Sequence, residues 1–102
     1  MRILCLSLNH TNAPVSLREK LAFSEDAIRA ALSRLSCGQM ASSITEMIIL
    51  STCNRIEIYA ASSKSNFAEL EAFLSDARGV AAHEFHPHLY RFKDMDAVRH
   101  LF

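Results

Sequence analysis

Two short apolar runs, Met47-Ile48-Ile49-Leu50 and Ile56-Glu57-Ile58-Tyr59, flank the polar stretch Ser51-Thr52-Cys53-Asn54-Arg55. Runs this short and rich in isoleucine read as strands. So brief a connector makes them pair as an antiparallel hairpin, with the cysteine segment at or beside the turn. No other feature constrains the fold as much. The second run also alternates, with Ile56, Ile58 and Ala60 toward one face and Glu57 and Tyr59 toward the other. A cysteine in such a connector is placed for exposure, and the Arg55 guanidinium two positions on favours a thiolate over a thiol. Cys53 is therefore the first candidate nucleophile.

The rest of the chain fits around this hairpin. Ile3 to Leu8 reads as a first strand and Asn9 to Pro14 as a loop. Ser16-Leu17-Arg18-Glu19 has capping-box spacing, which predicts a short helical turn after it. Ser24 caps a longer helix whose apolar stripe is Ala27, Ile28, Ala31, Leu32 and Leu35, stopped by Gly38. Ile44 to Leu50 and Arg55 to Ala61 are the second and third strands. Asn66, with Glu69 three residues on, caps a helix carrying Phe67, Leu70, Phe73, Leu74 and Ala77, stopped by Gly79. Leu89 to Phe92 is the last strand, and Asp94 or Asp96 starts a further helix bearing Val98, Leu101 and Phe102. The order β-α-β-β-α-β predicts a ferredoxin-like α+β sandwich, an antiparallel sheet with two helices on one face. Residues 1–94 are expected to form one domain, and 95–102 the start of a helix leading to domains absent from this chain. The apolar stripe cut at Phe102 sets that expectation.

Composition excludes several classes. Half the residues are hydrophobic, with two glycines and two prolines among 102, which suits a compact domain and not a disordered one. The zero net charge lacks the basic excess of a dedicated nucleic-acid binder. Cysteines at 5, 37 and 53 form no CxxC pair, and a reduced, cytoplasmic setting fits them. The apolar run at 3–8 is too short to span a bilayer and no cleavage site follows it. The sequon Asn9-His10-Thr11 is discounted without a secretion signal. Cys5 and Cys37 read as small hydrophobes. His83, His86 and His88 bracket Pro87 instead of following one helical face, so no metal is expected.

The stretch Leu50-Ser51-Thr52-Cys53-Asn54-Arg55-Ile56-Glu57-Ile58-Tyr59 resembles the signature of the glutamyl-tRNA reductases. Two flanks agree: Leu8-Asn9-His10-Thr11-Asn12-Ala13-Pro14-Val15-Ser16-Leu17-Arg18-Glu19, and Ala97-Val98-Arg99-His100-Leu101-Phe102. The family reduces glutamyl-tRNA to glutamate-1-semialdehyde with NADPH, entering tetrapyrrole and heme biosynthesis by the five-carbon route. The chain resembles the N-terminal catalytic domain of that family, so it is expected to perform at most the acyl-transfer half. NADPH is expected on a domain absent here, and no cofactor on this chain. The resemblance implies that Cys53 attacks the ester joining glutamate to tRNA and holds the glutamyl group as a thioester. Covalent catalysis splits one hard step into two in this way. It also implies substrate contacts by Thr52, Cys53, Asn54 and Arg55, with the planar Arg55 fork suited to the glutamate side-chain carboxylate. His100 matches a family histidine needed for activity, either polarising the ester or assisting proton transfer to the departing ribose hydroxyl. The implied partners are glutamyl-tRNA, a second copy through an absent C-terminal domain, and the semialdehyde aminomutase that takes the product. The chain departs from the family at Ile56, where Thr or Val is frequent. It also departs at Phe92-Lys93-Asp94-Met95, which lacks a glycine often found there.

A competing reading makes the same topology an RNA-binding module of RRM type, or a small-molecule regulatory domain. The RRM reading requires stacking aromatics on the central strands, but the first strand has none and the third has only Tyr59. Fold alone does not decide among these. Both alternatives make the Cys53 thiol dispensable.

Overall fold

The computed structural model describes residues 1–36, 43–52 and 54–101. Its elements are β1 (Arg2–Asn9), α1 (Val15–Leu21), α2 (Glu25–Ser36), β2 (Ile44–Ser51), β3 (Arg55–Ser62), α3 (Ala68–Arg78), α4 (Ala82–Phe85), a 3-10 turn (His86–His88), β4 (Tyr90–Lys93) and α5 (Met95–Leu101). The sheet runs β2-β3-β1-β4 with every neighbouring pair antiparallel. This is the ferredoxin-like arrangement expected from the element order.

Register explains the two faces. Across β1 and β3, Leu4 faces Ala60, Leu6 faces Ile58 and Leu8 faces Ile56. Because side chains alternate along a strand, these six point to one side. They join Leu17, Leu21, Phe23, Ala31, Leu70, Phe73, Leu74 and Phe85 in the main core. The intervening pairs, Cys5 with Tyr59 and Ser7 with Glu57, point to the other side. There α5 packs on the sheet: Ala97 is fully buried against Cys5 and Tyr59, with Ile3 and Phe92 at the margin.

The antiparallel sheet, the two longer helices and the further helix after β4 are as expected; the docking of that last helix on the opposite face adds to the expectation. Three short elements join the architecture, α1 and α4 on the core face and α5 on the opposite one. Local starts differ. The Ser16 box does not cap α1. Pro14 occupies the N-cap with extended backbone, and its carbonyl accepts the N–H groups of Leu17 and Arg18. Ser24 does cap α2, its hydroxyl accepting from the Ala27 N–H at 3.1 Å. At α3 the N-cap is Phe67; Asn66 Oδ1 accepts from the Ala68 N–H, and Glu69 turns to Lys64 instead of closing a box. Gly79 ends α3 in the left-handed conformation (φ 65°), as glycine allows at little steric cost. The 3-10 turn delays β4 by one residue, so Leu89 joins the core. The stop assigned to Gly38 lies outside the described residues, as does Phe102.

One corner sets the position of α5. Asp94 adopts φ 51°. Its N–H donates to the Ile3 carbonyl at 2.7 Å, and its Oδ1 accepts the Ile3 N–H at 3.1 Å. Its carboxylate also pairs with Arg2 at 2.7 Å. The Asp94 carbonyl then accepts the Val98 N–H, the first bond of α5.

Candidate active site

At one end of the sheet, the end of β1, the start of β3 and the last turn of α5 meet, with Asn9 directly opposite Arg55. The chain leaving β1 turns on side-chain bonds. Asn9 Oδ1 accepts from the Thr11 N–H, and Asn12 Oδ1 accepts from the Asn9 N–H. Asn12 Nδ2 donates back to the Ser7 carbonyl. Such local bonds are what short polar side chains offer a turn. They hold His10 and Thr11 at the rim of a recess of about 240 Å³, lined also by Asn9, Asn54, Arg55, Glu57 and His100.

Thus the structure brings together three residues singled out from sequence, Asn54, Arg55 and His100, although His100 is far along the chain. Thr52 shapes the connector: its N–H donates to the Arg55 carbonyl at 2.8 Å and its hydroxyl accepts the Asn54 N–H at 3.3 Å. Cys53 lies outside the described residues. Ser51 is structural, its hydroxyl accepting the Phe23 N–H at 2.9 Å and so tying the hairpin to the segment after α1.

Glu57 is the residue that sequence reading missed. Its side chain is 1% exposed, yet it lies beneath the recess. The Ser7 hydroxyl donates to Oε2 at 3.0 Å and the Tyr59 hydroxyl to Oε1 at 2.9 Å. His100 Nε2 meets Oε2 at 2.5 Å. An Arg55 guanidinium nitrogen stands 3.8 Å from Oε1, and the Arg55 side chain is 56% exposed. The His100 ring also stacks on Phe92, ring centres 4.4 Å apart. The strand alternation already put Glu57 on the face away from the main core. The missing information was that α5 covers that face and turns an apparently solvent-facing acid into a buried one.

Other candidates stand apart. Cys5 is buried beneath α5, and burial pushes its thiol up to about 12, against a smaller opposing interaction with the Tyr59 hydroxyl. A thiol so protonated is a poor nucleophile. Burial also raises the Tyr59 hydroxyl, reinforced by its bond to Glu57. The clustered histidines diverge: His86 Nδ1 meets Glu71, and His88 Nδ1–H donates to the Asn12 carbonyl. Among the described residues no group of three or more side chains is arranged to hold a metal, and no helix is long and apolar enough to cross a membrane. The face an RRM would use for base stacking lies under α5, with Tyr59 4% exposed.

The sequence matches the family model described as glutamyl-tRNAGlu reductase, N-terminal domain, over residues 6–102. It is 41% identical to a glutamyl-tRNA reductase of Thermodesulfovibrio yellowstonii over 100% of this chain and 25% of that protein. It is 42% identical to one of Pseudoalteromonas translucida over 99% of this chain and 23% of that protein. Among solved structures it resembles the glutamyl-tRNA reductase from Methanopyrus kandleri, with a TM-score of 0.63 and 25% identity over 97% of this chain and 21% of that one. The chain therefore spans about a quarter of the length of the curated relatives it matches.

Proposed function

Since the chain belongs to the glutamyl-tRNA reductase family, as its N-terminal domain, we propose that it takes the glutamyl group from glutamyl-tRNA onto Cys53. The observation that carries this reading is the recess uniting Asn54 and Arg55, which follow Cys53 in sequence, with His100.

The chemistry follows from the side chains. Arg55 presents a mostly exposed guanidinium at the recess, suited to bidentate pairing with the glutamate side-chain carboxylate. Thr52 and Asn54 hold the connector and present polar groups beside the ester. The Cys53 sulfur attacks the ester carbonyl; a carbon–sulfur bond forms and the carbon–oxygen bond to ribose breaks. His100 receives the thiol proton and delivers it to the departing ribose oxygen, as a general base and then a general acid. The products are a thioester on the chain and free tRNA.

NADPH is assigned outside this chain. Its two glycines, Gly38 and Gly79, make no glycine-rich phosphate turn, and Gly79 serves as the α3 cap. Hydride transfer is accordingly assigned to another part of the full-length enzyme. In this reading residues 1–94 form the glutamyl-tRNA-binding unit, and 95–102 begin the helix toward the remaining domains. The full-length enzyme is a cytoplasmic homodimer that passes its semialdehyde to the aminomutase.

The test is the intact mass of this chain after incubation with glutamyl-tRNA and a rapid acid quench, beside Cys53→Ala. One glutamyl adduct on the parent, mapped to Cys53 and absent from the variant, is the expected result. No adduct on either chain, repeated with a full-length relative's sequence restored beyond residue 102, would refute the thioester reading.

A further inference from the structure

Glu57 is a buried carboxylate that the proposed acyl transfer does not use. We infer that it is the positioning residue of the site, holding the His100 ring by its Nε2–H so that Nδ1 is the nitrogen offered to the reacting groups. This rests on the acyl-transfer reading for its catalytic purpose, but the contact itself stands on geometry.

Three features support it. First, the carboxylate is fixed from below. Ser7 and Tyr59, on adjacent strands, each direct a hydroxyl at a different oxygen. A carboxylate receiving two hydroxyl donors, with a guanidinium beside it, acts as an acceptor, so the His100 contact is donated by Nε2–H. Second, neutral imidazole carries one N–H, so a proton on Nε2 leaves the Nδ1 lone pair available. Third, the ring is held in plane by Phe92, which stacks on it at an interplanar angle of 18°. Orientation and tautomer are therefore set by groups on three strands. A carboxylate that fixes a catalytic imidazole in this way works without exchanging a proton itself.

The arrangement also couples the two halves of the recess. Glu57 Oε2 faces His100, and Oε1 lies 3.8 Å from Arg55. One buried side chain thus sets the place of the proton-transfer group and stands beside the proposed carboxylate-binding one.

The proton path balances. As the sulfur–carbon bond forms, the thiol proton moves to Nδ1; as the ester carbon–oxygen bond breaks, the same proton goes to the ribose oxygen. Nε2–H stays on Glu57 throughout.

The experiment reads tautomer and rate separately. Imidazole nitrogen spectra of the 15N-histidine-labelled chain, recorded where the ring is neutral and assigned with His100→Asn, should show His100 as the Nε2–H form. Glu57→Gln should lose that preference, since an amide can donate or accept. Its single-turnover acyl transfer at saturating glutamyl-tRNA should fall about a hundredfold. Glu57→Asp keeps the charge but withdraws it by one methylene. It should show the same rate loss with a parent-like melting curve, and it replaces the glutamine variant if that one does not fold. An Nδ1–H form in the parent, or an unchanged tautomer and rate in Glu57→Gln, would overturn the inference. An Nε2–H parent that forms no thioester, also with a relative's sequence restored beyond residue 102, would instead overturn the acyl-transfer reading, and with it the catalytic purpose of Glu57.

Discussion

Asp94 offers the sharpest test of how α5, and His100 with it, is held on the sheet. The residue combines an unfavourable backbone (φ 51°) with three compensating contacts, to the Ile3 N–H, the Ile3 carbonyl and Arg2. Asp94→Asn keeps the Ile3 N–H acceptor and tolerates the left-handed region, losing only an exposed ion pair worth about 0–1 kcal/mol. Asp94→Gly relieves backbone strain of about 1 kcal/mol. It also loses the side-chain hydrogen bond, about 1 kcal/mol, and gains about 0.4–1 kcal/mol of unfolded-state entropy. The net is a loss of about 1 kcal/mol. Asp94→Ala loses the same contacts and adds left-handed strain, for about 2–3 kcal/mol. Urea unfolding followed by circular dichroism should therefore rank the parent first, then Asn, Gly and Ala. An alanine variant as stable as the asparagine one would refute the account of this corner. Ala as stable as Gly would show that the backbone strain is not felt.

Two further predictions concern pH. The Cys5 thiol, raised from 9.0 to about 12 in the folded chain, ionises in the unfolded state first. The folded state then binds the extra proton, so stability falls as pH rises through that window, by at most about 1.4 kcal/mol per pH unit. Cys5→Ala should flatten this alkaline slope in chemical denaturation at stepped pH, and an unchanged slope would refute it. Glu71 behaves in the opposite sense. Burial alone would raise its carboxyl, but hydrogen bonds and charge from Arg91 and His86 hold it below the usual range. Its contribution is present above the unfolded pKa of about 4.3 and is lost as pH falls through the folded value. Arg91→Gln should destabilise the chain by about 1–3 kcal/mol at neutral pH, with the difference from the parent shrinking on acidification. A difference that persists at pH 2 would mean that the Arg91 contacts to the His86 and Leu89 carbonyls dominate instead.

Local pattern determined much of this protein. The hairpin, the alternation in β3, the Ser24 cap, the Gly79 stop and the element order are short-range consequences of side-chain period, capping chemistry and backbone freedom. The ferredoxin-like sheet followed because few topologies satisfy that order. The Cys53 block and Arg55 were legible for the same reason, being contiguous in the chain. Where competing starts were close together, the sequence left the choice open or misled: Pro14 displaced the Ser16 box, and Phe67 took the cap from Asn66. Only the tertiary structure decided that α5 folds over the second face of the sheet. That docking buries Ala97 and Cys5, and it seats His100 on Phe92 and against Glu57. Glu57 is separated from its histidine by 43 positions, beyond the reach of any periodicity. An alternating strand says which residues share a face; it does not say what covers it. Burial of that face, a property of the assembled domain, is what turns Glu57 from a surface acid into a buried acceptor held by Ser7 and Tyr59 and set against His100.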